Sequence, residues 1–348
     1  FDEFGDSYLT SNLNKKVKLE DFNIQAYSRF ENSIIGKLRA FIGYTDYNYG
    51  YNSVLYLNEE TIPNRIKGNL IQAGASYKKE YKGFQLYGEG AINIKGDLDA
   101  NYLKAGMSYT MKGEHTVRAE IKNHSVAPNF NFLLYQSDYI NYNWQNNFNN
   151  VKTQQLLVQL TSNKIVNATV SYTGIDDYTY FAIKENDSTP TPHQYNKRVD
   201  YVKVELQKEF HYKKFALENT ILYQEALSGE GVLNIPQFIT RNTLYFQDEW
   251  FNKALFIQTG ATFKYFADYN MNSYDPVLAE FYVQNDQELG GFPLVDIFFN
   301  AKVRQTRFYF KYENFTSLFS SKNEYFSAPG YPFRDAVIRF GIVWNFFL

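Results

Sequence analysis

Several short runs of this sequence place a charged side chain at every second position. In "HTVRAEIK", Arg118, Glu120 and Lys122 alternate with Val117, Ala119 and Ile121. In "VKVELQ", Lys203 and Glu205 alternate with Val202, Val204 and Leu206, and in "VDIFFNAKV" Asp296 and Lys302 are set against Val295, Ile297, Phe299, Ala301 and Val303. Arg307, Lys311 and Arg339 fall on the same kind of position in two later runs. Charges gathered on one face either pair with one another across neighbouring segments or, where water reaches them, attract and sort ions. Their mixed signs predict weak ion selectivity.

Other constellations are poorer. The four histidines, His115, His124, His193 and His211, are scattered, and nothing in the spacing of Asp176, Asp177, Ser188 and His193 builds a nucleophile, base and orienting group. Asp275, Glu280, Asp286 and Glu288 are acidic enough for calcium but lack the ordered spacing of an EF-hand. With no cysteine in the chain, a disulfide framework, a thiolate zinc site and a cysteine nucleophile are excluded. A net charge of −2 without a basic run gives no case for nucleic acid. The expectation is a chain with no catalytic residue, no metal and no cofactor.

The elements that must carry the charged positions have period two, which is the mark of strands with two unlike faces. Sixteen strands are expected, near 4–13, 20–31, 35–46, 68–79, 83–94, 100–111, 115–125, 150–161, 165–180, 199–210, 214–226, 239–250, 254–266, 294–303, 307–316 and 335–347. From residue 32 onward, short turns such as "EYKG" and "YKK" alternate with longer links near 47–67, 95–99, 126–149, 181–198, 227–238, 267–293 and 317–334. A soluble sandwich has no reason to keep its long connections on every second link, whereas an outer-membrane barrel does. No run of about 18 apolar residues offers a transmembrane helix.

The end of the chain, "VIRFGIVWNFFL", sharpens the point. Ile338, Phe340, Ile342, Trp344, Phe346 and Leu348 share one parity and nothing follows to cover them. Lipid covers such a face without further protein. The fold class predicted is all-β: a transmembrane antiparallel up-and-down β-barrel of about 16 strands, with short periplasmic turns and long external loops. Residues 1–348 read as a single barrel domain. "FDEFGDSYLT" has neither the basic nor the apolar region of a signal peptide, so the chain is expected to be mature or to lack an amino-terminal part.

Aromatic residues make up 19% of the chain, with 31 Tyr, 31 Phe and 3 Trp. Girdles at the two membrane interfaces account for such an excess. Tyr44, Tyr77, Phe84, Tyr109, Phe215, Tyr265 and Trp344 stand near strand ends and are the expected lipid-interface set.

"NFLLYQSDYINYNWQNNF" at 131–148, "NIPQFITRNTLYFQDEWF", "LFIQTGATFKYFADYNMNSYDPVLAEFYVQNDQELGGFPLVDIFFNAKVRQTRFYFKYENF" and "FSAPGYPFRDAVIRFGIVWNFF" together resemble the putative porin family of Bacteroidetes outer membranes. The resemblance is specific from about residue 126 and weaker before it. Members of that family tend to be longer at the N-terminus, and barrels usually end on an aromatic residue, where this chain has Leu348. The resemblance implies an outer-membrane barrel.

Two functions follow as expectations. The first is passive diffusion of small hydrophilic solutes, with the ten charged residues above facing the lumen. The alternative is a structural or accessory subunit of a larger outer-membrane complex with a plugged lumen. Expected partners are outer-membrane lipid and lipopolysaccharide, the solutes themselves, and other outer-membrane proteins meeting the external loops 126–149 and 267–293.

Overall fold

The computed structural model describes residues 4–9, 11, 13–57, 61–98, 100–111, 114–185, 187–319 and 325–346. Among them, fifteen long strands form one antiparallel sheet in which each strand pairs with the next in chain order. They are β1 Lys18–Asn32, β2 Gly36–Gly50, β3 Arg65–Tyr81, β4 Phe84–Gly96, β5 Asn101–Met111, β6 His115–Val126, β7 Val151–Ser162 and β8 Asn167–Asp176. After these come β9 Val199–Tyr212, β10 Phe215–Ser228, β11 Phe238–Trp250, β12 Leu255–Phe266, β13 Leu294–Val303, β14 Thr306–Glu313 and β15 Val337–Trp344. No helix among the described residues is long and apolar enough to cross a membrane.

Alternation becomes two unlike sheet faces because side chains in a strand point to opposite sides in turn. The register brings like positions together across β13–β15: Asn300 lies opposite Tyr309, Lys311 opposite Arg339, and Phe310 opposite Phe340. The apolar face is bare, with Phe340 80%, Ile342 66% and Phe30 50% exposed, whereas the polar face contains enclosed groups such as Glu120 at 2% and Asp296 at 3%. This inverts the soluble arrangement and fits a sheet whose apolar side meets lipid.

The short turns lie at one end of the sheet and the long links at the other, except that the link expected near 95–99 is only four residues, 97–100, because the flanking strands run on to Gly96 and from Asn101. Lys82 and Gly83, the two residues between β3 and β4, both have positive φ, as a tight hairpin turn with matching twist requires. Arg304 and Lys213 take the same left-handed conformation in the turns after β13 and β9.

Two expectations about the strand count need correction. The described residues of 4–13 do not form a strand of the large sheet. The Tyr8 amide donates to the Asp138 carbonyl (2.9 Å), the Ile140 amide to the Asp6 carbonyl (2.9 Å), and Phe4 packs against Tyr139. Phe4 joins an aromatic cluster among the long links, and backbone pairing with 138–140 replaces pairing at a sheet edge. The sheet accordingly has 15 strands, not 16, so β1 and β15 run in the same direction, and no pairing joins them among the described residues. Phe347 and Leu348, with which the expected last strand and its apolar parity ended, lie outside the described residues.

The buried apolar core sits at the long-link end. One cluster gathers Tyr49, Tyr51, Ile62 and Leu134; another gathers Tyr142, Trp144, Phe181 and Leu278. With lipid covering the sheet's outer face, aromatic burial is concentrated where the links meet.

Candidate functional site

All ten charged residues singled out from the sequence fall on the polar face. Arg118, Glu120 and Lys122 of β6 lie opposite Ser108, Gly106 and Lys104 of β5. Lys203 and Glu205 of β9 lie opposite Ser171 and Thr169, and Asp296 of β13 opposite Thr262. Lys302 lies opposite Arg307, and Lys311 opposite Arg339. Five of them form or surround two buried carboxylates, Lys203 and Glu205 pair with each other at 3.3 Å, and Arg339 pairs with Glu313, whereas Lys302 and Arg307 have no carboxylate partner among the described residues.

The first carboxylate is Glu120, whose side chain is fully enclosed. It accepts from the Tyr87 hydroxyl at 2.6 Å and from Arg118, with Lys122 at 3.4 Å and Lys104 at 4.0 Å. Arg118 Nε also donates to the Tyr87 oxygen at 2.7 Å. Enclosing a charge is costly unless it is paired and hydrogen-bonded, and this one is. The second is Asp296, reached by Lys264 Nζ at 2.5 Å, Lys311 Nζ at 3.1 Å and the Asn314 amide at 3.0 Å. Lys311 then bridges to Glu313 (3.0 Å), which also receives Arg339 Nε at 2.9 Å.

Aromatic side chains on this face lie flush with the wall because the residue directly across is glycine. Phe41 is opposite Gly74, Tyr87 opposite Gly106 and Tyr309 opposite Gly341. A Cβ added at Gly106 would meet Tyr87 Cζ at 2.6 Å, and one at Gly341 would meet the Tyr309 ring at 2.5 Å. Each ring occupies the space its partner leaves empty. Concavities follow along the wall, including one of about 690 Å³ lined by Arg241, Tyr245, Gln258, Lys264, Asn300 and Lys311.

Over the long-link end the connections form a cap. The link after β6 carries a helical turn, Phe130–Leu133, braced by Trp144, whose Nε1 donates to the Asn131 carbonyl at 2.9 Å. Phe132 stacks on Phe181 of the link after β8 (4.3 Å), and Phe130 stacks on Tyr49 (4.8 Å). Gln136 Nε2 donates to the Pro63 carbonyl (3.0 Å) in the link after β2. In the other direction, Tyr142 donates to Asp275 (2.7 Å), Tyr135 to the Val277 carbonyl (2.6 Å) and Asn131 to Glu280 (2.6 Å) in the link after β12. Segment 127–149 therefore ties together links separated by ten strands of the sheet's order. Burial raises the pKa of Tyr135 and of Tyr142, so both hydroxyls remain neutral donors.

The poorer constellations do not assemble. Asp176 pairs with Arg198 (2.9 Å), Asp177 accepts from Asn149 (3.2 Å), and His193 Nε2 donates to the Ala182 carbonyl (3.3 Å). Asp275 is occupied by Tyr142 and by the amides of Val277 and Leu278. Among the described residues, no group of three His, Asp or Glu is placed to hold a metal ion.

The sequence matches the family described as Putative porin over residues 2–348, essentially its whole length. The chain belongs to the Putative porin family. It is accordingly a β-barrel protein of the bacterial outer membrane. No curated protein matches this porin-family chain in sequence. In fold it is similar to the siderophore receptor PirA from Acinetobacter baumannii, at 11% identity and a TM-score of 0.64, covering 97% of this chain and 56% of that one. It is also similar to the ferric enterobactin receptor PfeA from Pseudomonas aeruginosa (11% identity, TM-score 0.62, 86% and 49%) and to the copper transporter OprC (12%, 0.62, 87% and 51%). The porin-family chain thus spans about half the length of these structures, and the likeness is one of fold.

The seven aromatics expected at the lipid interface all lie on the apolar face. Phe84 packs on Tyr109 at 4.3 Å and Phe215 on Phe246 at 5.3 Å beside the short turns, where Trp344 also stacks on Phe346. Tyr77 reaches the turn after β1 and donates to the Ile35 carbonyl at 2.8 Å. Tyr44 and Tyr265 share that face nearer the long-link end.

Sequence reasoning missed three features: the links' mutual contacts, the glycines under the aromatic rings, and the opposed basic pairs. The second had a visible signal. Gly74, Gly106 and Gly341 all stand at polar-parity positions of otherwise alternating strands, where glycine commonly marks close approach by a neighbour.

Proposed function

We propose that this porin-family protein forms a pore through which small hydrophilic solutes pass by passive diffusion. One observation supports the reading: the ten charged strand positions share a single face, opposite the one that carries the expected interface aromatics. Such a face lines a water-filled lumen, and its charges set the preference among permeating solutes. The aromatic rings lying flush over glycine support an unobstructed wall. The long-link cap restricts the external mouth and sets a size limit on entry.

The accessory-subunit reading is weaker, because the cap turns its apolar residues on one another. Leu134 is fully buried, and Tyr142 and Phe181 are 1% and 2% exposed, so their surface is spent within the cap rather than offered to a partner. The test is conductance of the purified full-length protein in a planar bilayer. Discrete steps that scale with salt concentration support the pore. A folded barrel that inserts and stays silent rejects it.

A further inference from the structure

Mixed signs along the polar face conceal an uneven distribution. In the five strands β11–β15, the polar-face cations are Arg241, Lys264, Lys302, Arg307, Lys311 and Arg339, against three carboxylates, Glu249, Asp296 and Glu313. Six cations less three anions leave this wall at +3, although the whole chain carries −2.

The arrangement is more telling than the count. The six cations occur as three directly opposed pairs: Arg241 across from Lys264, Lys302 across from Arg307, and Lys311 across from Arg339. Like charges directly opposite repel, and sheets normally avoid them. At the middle of the wall, Asp296 and Glu313 relieve the repulsion. Asp296 also reaches Lys264 of the upper pair, so the relief is missing at the short-turn end and at Arg241 alone of the upper pair. Arg241 has no ion pair among the described residues, and neither Lys302 nor Arg307 does.

The Lys302 and Arg307 pair lines a concavity of about 490 Å³ together with Gln258 and Asn300, whose amide groups can add hydrogen bonds. Glu249 also borders it and is drawn toward Lys253 at 3.8 Å. Arg307 and Lys311 are four residues apart on one strand, roughly 13 Å at the usual rise. The pairs therefore recur as rungs from the short-turn end upward.

We infer that the β11–β15 wall is a track for small oxyanions, phosphate and sulfate among them, which bridge the opposed cation pairs and move from one rung to the next. This rests on the pore reading above and names the solute class it favours. An oxyanion between two cations supplies the missing countercharge, and guanidinium and ammonium groups form the charge-assisted hydrogen bonds such a ligand requires. The carboxylates at the middle rung keep binding weak enough for release.

The test joins two measurements on the full chain, wild type and K302Q/R307Q, a pair chosen because neither residue supports a carboxylate. Reversal potential in a potassium chloride gradient reads selectivity, and calorimetric titration of the detergent-folded protein with inorganic phosphate reads binding. The expected result is chloride preference in the wild type, with the variant losing that preference and binding phosphate roughly tenfold more weakly, as loss of charge-assisted bonds implies. A conducting channel with cation preference or none, unchanged in the variant, overturns the track and leaves the pore. A silent bilayer with phosphate binding that weakens in the variant overturns the pore and keeps the anion site. Silence with no phosphate binding overturns both.

Discussion

Tyr142 and Asp275 are 133 positions apart in the chain, yet the hydroxyl of the first donates to Oδ2 of the second at 2.7 Å with both residues buried. The bond joins the link after β6 to the link after β12. Asp275 also holds its own loop in shape, since its Oδ1 accepts the amides of Val277 and Leu278 at 2.8 and 2.9 Å. One carboxylate thus organises a turn and anchors a distant segment to it.

Tyr142→Phe removes one partner of a buried acceptor and is expected to destabilise the cap by about 1–3 kcal/mol. Asp275→Ala is expected to cost more, because the loop's own amides lose their acceptor as well. Hydrogen exchange is the check: protection should fall in 127–149 and 267–293 and hold in β9–β12. Unchanged exchange in both segments contradicts the cap's proposed construction.

His193 gives the cap a pH dependence. It lies in a small hairpin of the link after β8, Thr179–Ala182 paired with Thr191–Gln194. Burial there, aided by Lys184, lowers its pKa from the ordinary 6.5, so the folded hairpin disfavours the imidazolium. Stability is complete above the ordinary value and is lost as pH falls through it, because the opened hairpin takes up the proton more readily. Limited proteolysis within 179–194 should therefore accelerate between about pH 7 and pH 5. His193→Gln should flatten that response; an equally steep response in the variant would assign it to another group.

Much of the architecture was legible in the sequence, and the reason is the lipid. A strand with one face in hydrocarbon and one in a polar interior must alternate cleanly, so the expected 294–303 coincides with Leu294–Val303. The expected 4–13 strand failed because alternation in "FGDSYLTSNL" is weak and Phe4 and Tyr8 found partners at Tyr139 and Asp138 instead. The ten charged positions could be assigned to one face by parity, but parity says nothing about which residue stands across the gap. Lys302 opposite Arg307 follows from where the Arg304–Gln305 turn falls, and Tyr142 meeting Asp275 follows from how the sheet brings its links together.

Glu120 separates buried from exposed charge. Glu120→Gln leaves Arg118, Lys104 and Lys122 around an uncharged amide, and a loss of about 3–5 kcal/mol is expected for breaking an enclosed ion cluster. Glu89→Gln disturbs only a half-exposed contact to Lys104 at 3.5 Å and should cost under about 1 kcal/mol. Urea unfolding followed by tryptophan fluorescence ranks the two, and equal midpoints would contradict the distinction.

The glycines under the rings predict an effect on passage as well as on stability. Gly106→Val or Gly341→Val should push Tyr87 or Tyr309 off the wall, costing about 1–3 kcal/mol through overpacking. The displaced ring projects into the lumen, so unitary conductance should fall. Single-channel recording checks this, and a folded variant with unaltered conductance contradicts the flush-ring account.

The central claim is that the polar face lines a conducting lumen and the apolar face meets lipid. The most direct measurement is a cysteine walk through Leu294–Val303, which the absence of native cysteine leaves free of background. Each single-cysteine protein is reconstituted in a planar bilayer and exposed to a charged, membrane-impermeant thiol reagent while current is recorded. The account predicts that current changes at Asp296→Cys, Phe298→Cys, Asn300→Cys and Lys302→Cys, and holds at Val295→Cys, Ile297→Cys, Phe299→Cys and Ala301→Cys. Modification without that alternation, or the opposite alternation, would contradict it.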